Sequence, residues 1–223
     1  MSVTDISPAA LFAPGHTRAW DWLSACTYPW EVLPRIKELI LAIGPTLDPA
    51  VYDHPSEDIW IARDATVAPT AFIGGPAIIG ERTEVRHGAF IRGAALVGDG
   101  CVVGNSVELK NCILSDGVQV PHYNYVGDSV LGYKAHMGAG SITSNVKSDK
   151  TLVTVHDREE HIATGLKKFG AMLGDNVEVG CNSVLNPGTV IGRGSNIYPL
   201  SCVRGVVPQN AIWKTGGVIV TKK

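Results

Sequence analysis

An all-β chain wound into a three-sided parallel β-coil is the fold this sequence predicts, on three observations. Ile61, Val67, Ile73, Ile79, Val85, Ile91, Val97, Val103 and Leu109 stand six residues apart without a miss. Most are followed by a small or polar residue, such as Gly74, Gly80, Gly98 or Gly104. Neither the period of a helix nor that of a half-buried strand requires an aliphatic at every sixth place, whereas a triangular coil with one inward anchor per side does. Three sides make one coil, so residues three repeats apart lie on top of one another. Crossovers between parallel strands are right-handed as a rule, but the six-residue repeat with Gly, Asn or Asp near its corners is known chiefly from left-handed solenoids. A left-handed parallel β-helix of about seven coils is therefore expected.

The elements follow in order. Residues 1–57 lack the repeat; Tyr28-Pro29-Trp30-Glu31 leads into Leu33, Ile36, Leu39, Ile40 and Ile43, a helical apolar stripe ended by Gly44-Pro45. Trp20, Trp22, Tyr28 and Trp30 are expected to pack this helical cap against the first coils, where it covers an open sheet edge. The coil domain, 58–207, carries two steps of five instead of six, Leu109 to Leu114 and Val126 to Leu131, and is interrupted by a loop at 144–170. Within that loop, Thr151–Val155 and His161–Thr164 flank the charged Asp157–Glu160 like the tip of a hairpin. The repeat resumes at Leu173, Val179, Leu185, Ile191, Ile197 and Val203, and a tail follows at 208–223. Long loops inside compact repeats tend to be functional.

Composition narrows the function classes. With 45% hydrophobic and 18% charged residues the chain can bury a sizeable core, and its formal net charge of -2, without a basic stripe, argues against a nucleic-acid partner. The longest apolar-rich stretch, Val32 to Ile43, is broken by Pro34, Arg35, Lys37 and Glu38, and no signal-like N-terminus is present, so neither a membrane partner nor secretion is expected and the chain reads as cytoplasmic. Cys26, Cys101, Cys112, Cys181 and Cys202 are odd in number and scattered, which fits buried or half-buried thiols better than a disulfide framework or a zinc site. His156 and His161 are the only close imidazole pair and lie in the loop, so no metal is expected; His16, His54 and His87 read as ordinary surface or packing residues.

Stacking turns spacing into a map. Arg92 follows the anchor Ile91 and Lys110 follows Leu109, so the two cations share one face in adjacent coils, about 4.8 Å apart. Such neighbours repel unless an anion joins them, and a guanidinium fork beside an ammonium suits the phosphate or carboxylate of a small ligand. Two solvated surface residues splayed apart is the competing reading. A second column contains Asn105, His122, Ala139 and, if the loop replaces one hexapeptide, Cys181 and Pro199. Ala139 lies in Gly138-Ala139-Gly140, where missing side chains let a ligand approach backbone N–H groups that can hold a developing oxyanion. A neutral imidazole at His122 can take a proton from an attacking amine or hydroxyl, and Glu108 can orient it.

Val103-Gly-Asn-Ser-Val-Glu-Leu-Lys110, His122-Tyr-Asn-Tyr125-Val-Gly-Asp128 and Met137-Gly-Ala-Gly-Ser-Ile-Thr-Ser-Asn145 resemble the C-terminal acetyltransferase domain of the bifunctional enzymes that make UDP-N-acetylglucosamine. The five-residue steps also fall where that family has them. The resemblance implies acetyl-CoA as co-substrate, with no metal needed for the transfer, and a homotrimer whose sites lie between subunits. It implies His122 as the general base for the amino group of glucosamine 1-phosphate, with Glu108 as its orienting partner. Arg92 and Lys110 match the basic residues that hold the sugar phosphate, Tyr125 the tyrosine beside it, and Asn145 an asparagine that contacts the sugar. Ala139 matches the backbone donor to the thioester carbonyl. Some positions depart from the family: His136 replaces an asparagine on the sugar side, Val146 replaces a tyrosine, and Cys181 and Pro199 stand at a serine and an alanine of the coenzyme site. Lys147 and Lys150 are the candidates for the family's loop lysine.

The first 57 residues hold no Gly-rich nucleotide loop and are too short for an α/β nucleotide-binding domain, so no nucleotidyltransferase domain is expected. The expected function is acetyl-CoA-dependent N-acetylation of an amino sugar phosphate or a nucleotide-linked amino sugar. The alternatives are O-acetylation of a related sugar and a non-catalytic, sugar-nucleotide-binding regulatory β-helix.

Overall fold

The computed structural model describes residues 5–222; residues 1–4 and Lys223, assigned above to the cap and the tail, lie outside the described residues. The repeat builds a left-handed β-helix. On its first wall Ile59 pairs with Ala77 and Ala77 with Ala95; on the second Val85 pairs with Val103; on the third Ile91 pairs with Leu109. All of these ladders are parallel, and each joins residues one coil apart. Among the described residues there are seven complete coils and two walls of an eighth, Val206–Val207 and Ala211–Trp213. The anchors are the core: Ile79, Val85, Ile91, Val97, Val103 and Leu109 are each at most 1% exposed.

The two five-residue steps have a direct backbone counterpart. Both fall at the corner between the third and first walls, where single strands, Glu108–Leu114 and Tyr125–Leu131, run through the bend. The shortened turn is made by one residue in the left-handed region, Asn111 (φ 50°) and Asp128 (φ 48°), residue types whose short polar side chains tolerate that conformation. Because both coils lose the same residue, the register stays intact on either side, with Leu109 facing Val126 and Leu114 facing Leu131.

The walls differ on their outer faces. The outward column of the first wall is apolar: Trp60, Ile78, Leu96, Ile113, Val130, Met172, Val190 and Val206. The second wall presents polar groups such as Gln119, His136 and Glu178, and the third presents a mixed column that includes exposed Phe72 and Phe90. The N-terminal segment covers the apolar wall. Helices α1 (Pro8–Leu11), α2 (Trp20–Ser24) and α3 (Ile36–Ile43), with a 3-10 turn at Pro29–Arg35 before α3, bury Leu23, Leu33, Ile36, Leu39 and Ile40 against it. Each fully buried aliphatic of this kind contributes about 1.5–3 kcal/mol. Corner carboxylates pin the segment: Ala13 N–H donates to Asp175 at 2.7 Å and Arg18 to Asp99 at 2.9 Å.

The expected edge cap is thereby corrected. The helices lie along the flank of the stack, reaching from the first coils to Asp175 in the sixth, because that flank holds the unpaired apolar surface. The first open edge of that wall is instead covered by strand Tyr52–Ser56, which pairs antiparallel with Ile59–Ala62. At the other end Ile219–Thr221 pairs antiparallel with Ala211–Trp213. The loop hairpin also forms, Thr154–Asp157 against Glu160–Ala163. Val153, Val155 and Phe169 of the insertion are fully buried on the first wall, where Phe169 meets Trp30 with ring centroids 5.5 Å apart. Cys101 and Cys112 are buried, Cys181 and Cys202 exposed, and all five thiols are free. Among the described residues, no helix is long and apolar enough to cross a membrane.

Candidate functional site at the edges of the third wall

The corner between the second and third walls carries the column that contains His122. A ladder of backbone bonds runs up it: Tyr123 N–H to Asn105 C=O (2.9 Å), Gly140 N–H to His122 C=O (3.0 Å), Asn182 N–H to Ala139 C=O (2.8 Å) and Leu200 N–H to Cys181 C=O (2.9 Å). Asn105, His122, Ala139, Cys181 and Pro199 therefore stack in successive coils, and the insertion stands in place of a single hexapeptide, as the sequence spacing requires. His122 is exposed and Ala139 half-buried. The Ala139 N–H has no acceptor among the described residues. Glycine on either side is a geometric need: a Cβ on Gly138 would lie 2.7 Å from the Cys181 backbone nitrogen, and Gly140 has φ 71°.

Asn124, which the motif reading passed over, ties this column together. Its side chain accepts the His122 N–H at 3.1 Å and donates to the Gly138 carbonyl at 2.8 Å and the Ser141 carbonyl at 3.1 Å. It is 2% exposed. The signal in the sequence was a polar residue at an inward position where earlier coils have Ala71, Ala89 and Val107.

The other edge of the third wall carries the cations. Arg92 and Lys110 occupy adjacent coils, but neither waits for an external anion. Arg92 Nη1 lies 2.7 Å from Glu108 Oε1, and Lys110 Nζ lies 3.0 Å from Asp128 Oδ1. The expected repulsion is thus removed inside the chain. Glu108 is bound to Arg92 here rather than to His122, and that bond raises the Arg92 pKa.

Asp128 is the centre of this edge. Only 4% exposed, it accepts from Lys110 Nζ through both oxygens, from Asn111 Nδ2 at 2.9 Å and from Asn145 Nδ2. Asn145 Nδ2 also donates to the Tyr125 hydroxyl at 3.2 Å. Burial, then the charges of Asp128 and Glu108, push the Tyr125 pKa up. Lys110, Tyr125 and Asn145, which the family resemblance put in one site, do lie together, around a carboxylate that sequence reasoning left without a role. Its position in the five-residue step was the available clue, since a shortened corner needs a residue that accepts positive φ.

His136 is elsewhere. It projects from the second wall, where its Nδ1 lies 2.8 Å from Glu178 Oε2, so within one chain it does not join Tyr125 and Asn145. Of the two loop lysines, Lys147 lines a cavity at the base of the insertion with Ser144, Asn186 and Arg204. The two edges of the third wall are five residues of extended chain apart, from His122 to Gly127 opposite Lys110, or roughly 15 Å. Among the described residues no segment covers the wall between them, where Phe72 and Phe90 are exposed. Among the described residues, no three His, Cys, Asp or Glu side chains are grouped as a metal site.

A bifunctional sugar-1-phosphate nucleotidylyltransferase/acetyltransferase of Sulfurisphaera tokodaii is 36% identical over 112 residues, 50% of this chain and 28% of that protein. The bifunctional protein GlmU of Methanococcus vannielii is 32% identical over 155 residues, 69% of this chain and 34% of its own length. The match thus spans about a third of these relatives. Among solved structures, a UDP-N-acetylglucosamine acyltransferase from Francisella novicida has 14% identity and a TM-score of 0.45, covering 70% of this chain and 63% of that one. The family described as the GMPPB C-terminal domain matches residues 73–191, from the first coil to the seventh. With more than half of its length matched in this way, the chain belongs to the GMPPB C-terminal domain family.

Proposed function

We propose that the chain transfers an acetyl group from acetyl-CoA to the amino group of an amino sugar phosphate, or of a nucleotide-linked amino sugar. The observation that carries this reading is the pair of edges on one open wall: the His122–Ala139 corner on one side, Arg92 and the Lys110–Asp128–Asn145–Tyr125 cluster on the other. In this reading the amine lone pair adds to the thioester carbonyl while the His122 imidazole takes the amine proton. The oxyanion is held by the Ala139 N–H, the carbon–sulfur bond breaks, and the proton passes from the imidazole to the departing thiolate. The ligand phosphate takes Arg92 and Lys110. Its arrival at Arg92 releases the Glu108 carboxylate to orient His122. Similarity to bifunctional proteins that join a nucleotidylyltransferase to an acetyltransferase supports the second of those activities for a chain built of coils.

The site is completed by further copies of the chain. Phe72 and Phe90, in adjacent coils of the third wall, are 59% and 43% exposed with their ring centroids 5.6 Å apart, an apolar patch that contact with another copy would cover. A homotrimer meeting on this wall supplies the missing side of each site, with acetyl-CoA along the Ala139, Cys181 and Pro199 column. The test is thioester cleavage with a panel of amino sugar phosphates and their hydroxyl counterparts, run on the wild type and His122→Ala. Turnover with the amines, lost in His122→Ala at unchanged sedimentation, is expected; undiminished turnover removes His122 from the mechanism. A regulatory, non-catalytic reading is favoured by one observation, the in-chain neutralisation of both cations. Calorimetry separates it, since a regulatory β-helix need not bind acetyl-CoA.

A further inference from the structure

A cavity of about 310 Å³ opens where the insertion folds back over the coils. Its floor continues the column that begins with Arg92 and Lys110. Ser144 pairs through its N–H with Leu185 C=O, and Asn186 with Val203 C=O, so Ser144, Asn186 and Arg204 follow one another in the fifth, sixth and seventh coils. The roof is Lys147, Asp149 and His156 of the insertion. The cavity is held in shape by two glycines in the left-handed region. A Cβ on Gly188 (φ 82°) would meet Val153 Cγ1 at 2.8 Å, and one on Gly205 (φ 77°) would meet the His156 carbonyl, so the hairpin backbone rests directly on the coil.

The lining is cationic. Arg204 is exposed and takes part in no ion pair among the described residues. Lys147 Nζ bonds Thr151 Oγ1 at 2.6 Å and lies 3.4 Å from Asp149, the one carboxylate in the lining. Burial first, then the nearby His161, Arg204 and Lys147, hold His156 below the ordinary histidine range. Two cations against one carboxylate, with the Ser144 hydroxyl beside them, make a concave, preformed anion receptor.

We propose that this cavity binds a phosphate group, at a site separate from the Arg92 and Lys110 pair. Arg204 lies four coils beyond Lys110, roughly 19 Å along the stack, which no single phosphate can bridge. The phosphate belongs either to a nucleotide carried by the acceptor or to the nucleotide end of the acyl donor, and the proposal does not require that acetyl transfer occurs.

Calorimetric titration of the full chain with uridine 5′-diphosphate and with adenosine 3′,5′-bisphosphate tests it. Binding of at least one is expected, weakened about ten- to a hundredfold in Arg204→Gln and in Lys147→Gln, as for loss of one charge-assisted contact. Arg92→Gln leaves that binding in place. Preference for the diphosphate assigns the site to the acceptor, and preference for the bisphosphate assigns it to the donor. The proposal is overturned if neither ligand binds, or if Arg92→Gln removes the binding while both loop-side variants, shown to be folded by circular dichroism, retain it.

Discussion

Replacing Asp128 asks whether a buried carboxylate holds one edge of the candidate site together. In Asp128→Ala the Lys110 ammonium loses both of its 3.0 Å contacts, and the Asn111 and Asn145 amides lose an acceptor. Breaking a buried pair from one side costs about 3–5 kcal/mol, but the Lys110 side chain is 26% exposed, so water compensates part of the loss, and the lower end, about 3 kcal/mol, applies. Alanine at φ 48° adds about 1 kcal/mol of backbone cost, which asparagine avoids. The expected destabilisation is therefore about 4 kcal/mol for Asp128→Ala and about 2 kcal/mol for Asp128→Asn, the latter from one lost charge and one donor facing donors. At about 2–4 °C per kcal/mol for a chain of this size, thermal midpoints fall by about 8–16 °C and 4–8 °C. Differential scanning calorimetry measures both. A cycle with Lys110→Met adds the coupling, expected at about 1–2 kcal/mol. An Asp128→Ala midpoint within experimental scatter of wild type, or strict additivity with Lys110→Met, would refute the reasoning.

Two further outcomes follow from single side chains. The Tyr52 hydroxyl is buried without a hydrogen-bond partner among the described residues, and burial pushes its pKa up to about 12. Tyr52→Phe removes a group that pays desolvation for no bond, so stability should rise by up to about 1 kcal/mol in a denaturant titration; a loss of that size would mean the hydroxyl has a partner. His156 should titrate below 6.5 by NMR, and Arg204→Gln should move its midpoint upward, because it removes one of the charges that oppose protonation. Since the folded pKa is the lower one, the unfolded chain binds the proton first; any stability linked to His156 is complete above the unfolded value and falls as pH drops toward the folded one. An unchanged midpoint in Arg204→Gln would place the guanidinium too far away to matter.

Much of the architecture was written in spacing alone, because a stack of coils converts separation along the chain into position in space by one fixed rule. The coils, both shortened corners, the place of the insertion and the order Asn105, His122, Ala139, Cys181, Pro199 were all legible for that reason. So was the covered wall, had its pattern been used. Triplets such as Ala77-Ile78-Ile79, Ala95-Leu96-Val97 and Ala171-Met172-Leu173 are apolar throughout, as strands buried on both faces are, whereas Glu84-Val85, Gln119-Val120 and His136-Met137 alternate. Spacing does not say what a side chain bonds to. Whether Glu108 meets Arg92 or His122, whether Lys110 meets a ligand or Asp128, and whether His136 pairs with Glu178 depend on rotamers and corner geometry that carry no period. The N-terminal helices and the insertion likewise lack the six-residue repeat. Tertiary structure alone decided that they share the first wall, since only there could their apolar faces and that wall's be removed from water together.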